Sequence, residues 1–232
     1  TGPDATIKFN TTYSFFQKMK VTRKNLNKNS SGIAMTPFKL KELLAKSLYS
    51  LGILQALIKL QSKSPGIRIV NYHDVPATFG FQLEQQLQWF STFFAPACPG
   101  DLDRLLYKGG LASGGKLKLL MTFDDGYVSS YNVVAPLLEK YGFRGFFFIP
   151  AKVLDLPEQD QKTWANEHSI YPLGNNERAQ VFMNLSQVND LHARGHHVGV
   201  HGMNHARLTS ELTKQELTEE IITSRAILAH RL

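Results

Sequence analysis

Four short apolar runs, residues 67–72, 117–123, 145–149 and 197–200, recur along this 232-residue chain with helix-like spacing between them. Short buried runs alternating with longer stretches of 3.6-residue periodicity are the pattern of parallel strands joined by helices. Parallel neighbours need a crossover connection, and a helix is its usual form. The pattern predicts an α/β fold, as a doubly wound sheet or a barrel. The helices expected in the body cover 81–94, with Leu83, Leu87, Phe90 and Phe94 on one face, then 132–141, 186–194 and 212–232. Gly142 and Gly195 end the second and third of these, and Ser186 and Thr213 cap the last two. Residues 156–184 are polar and read as a long irregular segment.

Composition narrows the class. Hydrophobic residues make up 43% of the chain and charged residues 19%, which excludes a wholly disordered protein. Cys98 is the one cysteine, so neither an internal disulfide nor a cysteine metal site can form. No stretch long enough to span a bilayer is free of charge.

The net charge of +7 is unevenly spread. Residues 1–64 hold 11 Lys and Arg against Asp4 and Glu42, a net of +9, while residues 65–232 carry a net of −2. A nearly neutral body argues against nucleic-acid binding, which needs positive charge on the folded surface. Three regions follow: a basic, solvated tail over 1–36, an amphipathic helix within 37–64, and a folded domain over 65–232. In the helix, Leu40, Leu43, Leu44, Leu48, Leu51, Leu54, Leu57 and Ile58 form a stripe among Lys39, Lys41, Lys46 and Lys59. Such a stripe packs on a protein body or lies on an anionic membrane surface. The second option points to a membrane-associated protein.

Two constellations carry chemistry. Thr122-Phe123-Asp124-Asp125-Gly126-Tyr127 closes the most apolar run. Active sites of parallel α/β folds gather at the carboxyl ends of strands. Adjacent carboxylates there can divide their work, one binding a cation and the other acting on a water or substrate; an Asp-Gly turn alone is the plainer reading. His201-Gly202-Met203-Asn204-His205 follows another run. Two histidines four apart can reach one ion if the backbone turns helical. Gly202 stands where a zinc peptidase of the His-Glu-x-x-His kind needs Glu, which argues against a peptidase of that kind. Two histidines and a carboxylate make a three-ligand set with open positions, as in a catalytic rather than a structural metal site.

These two segments resemble the first two motifs of the NodB-homology polysaccharide deacetylases, carbohydrate esterase family 4. Ala135–Phe143 with Gly145–Ile149 is similar to that family's next helix and strand, and Gly195–Val200 to its approach to the histidine motif. Ile69-Val70-Asn71-Tyr72-His73-Asp74 looks like the opening strand of its exopolysaccharide branch. The resemblance runs from about residue 67 to 232. It implies a distorted (β/α) barrel of parallel strands, with Asp124 as catalytic base and Asp125, His201 and His205 holding a divalent ion, commonly zinc. The reaction implied is removal of N-acetyl groups from an N-acetylated polysaccharide by a metal-activated water. His73, Tyr127 and Trp164 are candidates for lining the site. His73 could equally be a loop histidine, and Trp164 could stack on a sugar or pack over the barrel rim. Gly202 departs from the Ser or Thr usual at that position, removing a hydroxyl but no ligand. The family's Arg-containing third motif and its later Asp-Trp and Leu-x-His motifs do not occur in these residues, so the barrel is expected to be incomplete. A non-catalytic carbohydrate-binding or scaffold module of the same fold, held at a membrane by 37–61, is the alternative.

Overall fold

The computed structural model describes residues 37–61, 66–108, 110–111, 116–173 and 180–232. The basic tail expected over 1–36 lies outside the described residues. The chain divides into two compact units between Leu60 and Gln61.

In the first unit, α1 (Pro37–Ser50) and α2 (Ile53–Gln61) replace the single helix expected over 37–61. Gly52 adopts φ 70°, the left-handed conformation that ends helices at low steric cost. Leu40, Leu43, Leu44, Leu51, Ile53, Leu57 and Leu60 are exposed. No helix among the described residues is long and apolar enough to cross a membrane.

The second unit is an α/β body built on a parallel sheet, the architecture expected from the strand–helix alternation. Among the described residues the strands are β1 (Ile67–Tyr72), β2 (Phe94–Pro96), β3 (Leu117–Phe123), β4 (Gly145–Ile149) and β5 (His197–Val200). They run in the order β1-β3-β4-β5, and every pairing is parallel. β2 takes the start of one edge of β3, opposite Leu117–Leu119, and β4 takes the end of that edge, opposite Met121–Phe123. β2 is too short to register as a strand in the sequence, and Pro96 removes a ladder donor at its end.

Alternation along the strands sorts the side chains into two layers. Val70, Tyr72, Leu119, Met121, Phe123, Phe147, Ile149, Val198 and Val200 join the main core. That core also takes Leu83 and Leu87 of α3 (Gly80–Phe93), Leu138 of α5 (Ala135–Lys140), Val188 and Leu191 of α7 (Leu185–Ala193) and Leu228 of α9 (Ser224–Arg231). On the opposite face, Leu120, Phe146 and Phe148 form a smaller cluster with Ile67, Ala97 and Leu102. The sheet therefore has one face covered by α3, α5, α7 and α9 and a second face that carries the smaller cluster.

Three helical details differ from expectation. α4 (Pro99–Tyr107) follows β2, with Pro99 in its first turn and Asp101 accepting from the Cys98 N–H at 3.0 Å. α6 (Glu158–Glu167) occupies the segment read as irregular; its surface is polar, but Gln161, Trp164 and Ala165 are buried. Asn184, rather than Ser186, caps α7, accepting from the Gln187 N–H at 2.9 Å. Thr213 does cap α8 (Lys214–Thr218), in a reciprocal box with Glu216. A π-turn over Glu219–Thr223 then joins α8 to α9.

At the amino ends of β4 and β5, His196 is buried. Its Nδ1 accepts from the Gly145 N–H at 3.0 Å, and its Nε2 faces Glu139 Oε1 at 3.0 Å. Arg194 grips the same carboxylate with two bonds of 2.9 Å. Burial lowers the His196 pKa below its ordinary 6.5, with Arg144 and Arg194 adding to it and Glu139 opposing. The unfolded chain therefore takes up this proton first as the pH falls. The neutral ring's contribution to stability is full above about pH 6.5 and is lost as the pH drops toward the folded-state value. Between about pH 7.5 and about pH 5.5 the unfolding midpoint should fall more steeply for the native chain than for His196→Gln; identical slopes would refute this.

Candidate active site

All strands point the same way, so β1, β3 and β5 deliver their following residues to one end of the sheet. The β1–β3 register sets Asn71 opposite Thr122 and Tyr72 opposite Phe123. It continues one step further, with the Asp124 N–H donating to the Tyr72 carbonyl at 3.0 Å. Alternation then puts Asn71, Thr122 and Asp124 on the face away from the helices. Thr122 Oγ1 donates to Asn71 Oδ1 at 2.9 Å, and Asn71 Nδ2 donates to Asp124 Oδ2 at 2.9 Å. His73 Nε2 lies 3.9 Å from the same oxygen.

Asp125 breaks the alternation. Its φ is 70° and that of Gly126 is 69°, so the chain turns sharply as it leaves β3. A Cβ at Gly126 would lie 2.8 Å from Ile149 Cγ2, which leaves no room for a side chain in this turn. Asp125 is 4% exposed, and its Oδ1 is 3.4 Å from His201 Nε2 and 3.3 Å from His205 Nε2. Yet Oδ1 is a buried oxygen with no hydrogen-bond partner. Ligand atoms of the three side chains all lie within 4.8 Å of one another.

His201 directly follows β5, and its N–H donates to the Ile149 carbonyl at 2.9 Å, extending the sheet. His205 is reached by a left-handed residue rather than a helical turn, with φ 57°. Its Nδ1 lies 2.9 Å from the His168 carbonyl, which fixes Nδ1 as the donor and turns the Nε2 lone pair toward Asp125. A carbonyl orienting the far nitrogen is the usual support of a metal-ligating histidine. The non-glycine residues with positive φ among the described residues are Asp125, Ser169 and His205. Two are candidate ligands, and the third follows the residue that orients one of them. Each such conformation costs on the order of 1 kcal/mol or more, and strain of this kind collects at functional sites.

Electrostatics fit a cation. Burial raises the Asp125 pKa, but the His201 and His205 rings and the His73 charge outweigh it and hold the carboxyl well below the usual range. The pKa of His205 is raised, first by Asp125 and then by the His168 carbonyl. A buried carboxylate oxygen without a hydrogen bond, facing two imidazole nitrogens, suits a divalent ion of the kind that imidazole and carboxylate ligate.

The remaining sequence candidates fall close by. Tyr127 is buried and stacks on Phe182, with its hydroxyl pKa raised by burial and then by the charges of Asp125 and Asp74. Trp164 is 8% exposed and belongs to the main core. It stacks on the His168 ring at 4.0 Å, backing the residue whose carbonyl orients His205.

Asn71, Asp74, Ser129 and His168 were not singled out from the sequence. Asp74 is buried, accepting from Ser129 Oγ at 2.6 Å and from the Leu173 N–H at 2.6 Å. Asn71 had a usable signal, since it stands two residues before His73 and so on the same strand face. His168 acts through its backbone, for which no residue-type signal exists.

A family model for polysaccharide deacetylase matches residues 112–232. The fold is similar to that of Streptococcus pyogenes deacetylase PplD in complex with acetate, at TM-score 0.54 and 20% identity over 72% of this chain and 69% of that one. A de-N-acetylase from Aggregatibacter actinomycetemcomitans aligns at TM-score 0.53 and 17% identity, covering 72% and 75% of the two chains. IcaB from Ammonifex degensii aligns at TM-score 0.52 and 19% identity, covering 72% and 69%. No curated protein matches the sequence.

The donor set predicts uptake of one divalent ion by the dialysed protein. Asp125→Ala, His201→Ala and His205→Ala should each weaken binding by about tenfold or more, read by competition with a chromophoric chelator. An ion held with unchanged affinity in all three variants would put the metal elsewhere.

Proposed function

Because the chain belongs to the polysaccharide deacetylase family, we propose that it hydrolyses N-acetyl groups of an N-acetylated polysaccharide, using Asp124 as base and Asp125, His201 and His205 as ligands of a divalent ion, zinc before others. The observation that supports this most is the unpartnered Asp125 Oδ1, buried against two imidazole nitrogens with a second carboxylate beside it. An ion held there acidifies water and polarises an amide carbonyl.

The chain's own residues supply the rest. Asp124 accepts the proton of the attacking water, and the Asn71 bond to Oδ2 holds the plane of its carboxylate for that transfer. Thr122 fixes Asn71 in turn. His73 and Tyr127 line the site next to these carboxylates. Water adds across the amide C–N bond, releasing acetate and leaving a free amine on the sugar. PplD is described in complex with acetate, the product this reading assigns here.

A non-catalytic module is the weaker reading, because such a module needs neither an oriented base nor a strained three-ligand set. Contact with an anionic membrane surface through 37–61 stays part of the proposal, motivated by the exposed leucines among lysines.

Acetate release from N-acetylglucosamine oligomers should be measurable, should stop with a chelator, and should return on adding Zn2+. Asp124→Asn should lower kcat by about 10²-fold or more while keeping the bound ion. Wild-type turnover in that variant would remove Asp124 as base. Vesicles rich in anionic lipid should bind the full chain, and deletion of 37–61 should abolish binding. Equal binding with and without the segment would dismiss the membrane role.

A further inference from the structure

The loop from His201 to His205 is held from two sides. On one, the Ala151 N–H donates to the Gly202 carbonyl at 3.0 Å and the Lys152 N–H to the Met203 carbonyl at 3.1 Å. On the other stands Glu220, which is 5% exposed. Its Oε2 accepts from the Met203 N–H at 2.9 Å, and its Oε1 accepts from the Asn204 N–H at 2.9 Å. A third contact, from the Asn204 N–H to Oε2, measures 3.2 Å. Both carboxylate oxygens are thus spent on the backbone of the two residues directly before His205.

The loop is cut to fit this carboxylate. Gly202 has φ 82°, and a Cβ there would run into Glu220 Oε2. Only a residue without a side chain lets the carboxylate close on the N–H groups that follow. Glu220 comes from the π-turn over Glu219–Thr223, a one-residue widening of the helix of a kind that often marks functional sites.

We propose that Glu220 is the positioning residue of the metal centre, holding the 202–204 backbone in the one shape that brings His205 Nε2 to Asp125 Oδ1. This rests on the reading of Asp125, His201 and His205 as metal ligands. Glu220 does not touch the ion; it acts through the loop. Removing an outer support of a metal ligand typically weakens the metal by about 10- to 100-fold.

The test is a Zn2+ and Co2+ titration of the full chain against a chromophoric chelator, with circular dichroism and melting to establish that each variant is folded. Glu220→Gln keeps the shape but turns an amide NH2 toward backbone donors, and should weaken both ions about tenfold. Glu220→Ala should weaken them further and change the visible spectrum of bound Co2+ as His205 loses its orientation. Gly202→Ala should act in the same direction, pushing the carboxylate away and adding left-handed backbone strain to the loop; Glu220→Gln isolates the carboxylate contact itself. A lowered melting temperature with wild-type affinity and an unchanged Co2+ spectrum in Glu220→Gln and Gly202→Ala would overturn the proposal, leaving Glu220 a merely structural residue. A wild-type chain that binds neither ion would remove the metal reading and this inference with it.

Discussion

A carboxylate oxygen sealed from water and facing two imidazoles is the constraint around which this body is arranged. Left alone, the buried Asp125 charge would be a heavy desolvation burden. The neighbouring histidines relieve part of it, since they hold the Asp125 pKa down against the upward push of burial. Both imidazole nitrogens stand 3.3–3.4 Å from Oδ1, in contact but outside good hydrogen-bond geometry. A divalent ion would satisfy all three groups at once, which is why the centre reads as a metal site and not as a salt-bridge cluster.

Support for that centre comes from elements distant in the chain. Trp164 of α6 stacks on His168, and the His168 carbonyl orients His205. Glu220 reaches the same loop from the π-turn before α9. The Thr122–Asn71–Asp124 relay crosses from β3 to β1 and back. Two of these chains of contacts end on a residue proposed to do the chemistry, His205 and Asp124, and the Glu220 contacts end on the two residues directly before His205. The opposite end of the sheet is given to stability instead, where His196, Glu139 and Arg194 tie α5 to the start of β5.

The sheet is legible because short runs rich in apolar residues alternate with helix-like periodicity. β1, β3, β4 and β5 fall where the four runs were read, and Thr213 caps α8 as expected. α6 was not legible. Its helix is polar on the surface and hides only Gln161, Trp164 and Ala165, too few to mark a periodicity. The break at Gly52 leaves no mark on the pattern, because the leucine stripe continues through it and only the left-handed glycine interrupts the helix. At the candidate site, type and spacing nominate Asp124, Asp125, His201 and His205, and the family resemblance supplies the roles proposed for them. Their supports Asn71, His168 and Glu220 were not, since a carbonyl, an amide and a helix carboxylate are ordinary residues until the fold brings them to the loop.

The order of residues alone dictated the parallel α/β body and nominated the Asp-Asp and His-x-x-x-His segments, because apolar alternation and motif spacing are properties of neighbours along the chain. It could not dictate that an aspartate and two histidines some eighty positions apart share one centre. That convergence follows from the parallel β3–β4–β5 order, which brings the carboxyl ends of β3 and β5 to the same end of the sheet. It depends as well on left-handed backbone at Asp125 and His205, which local preference disfavours and which packing by distant segments must enforce.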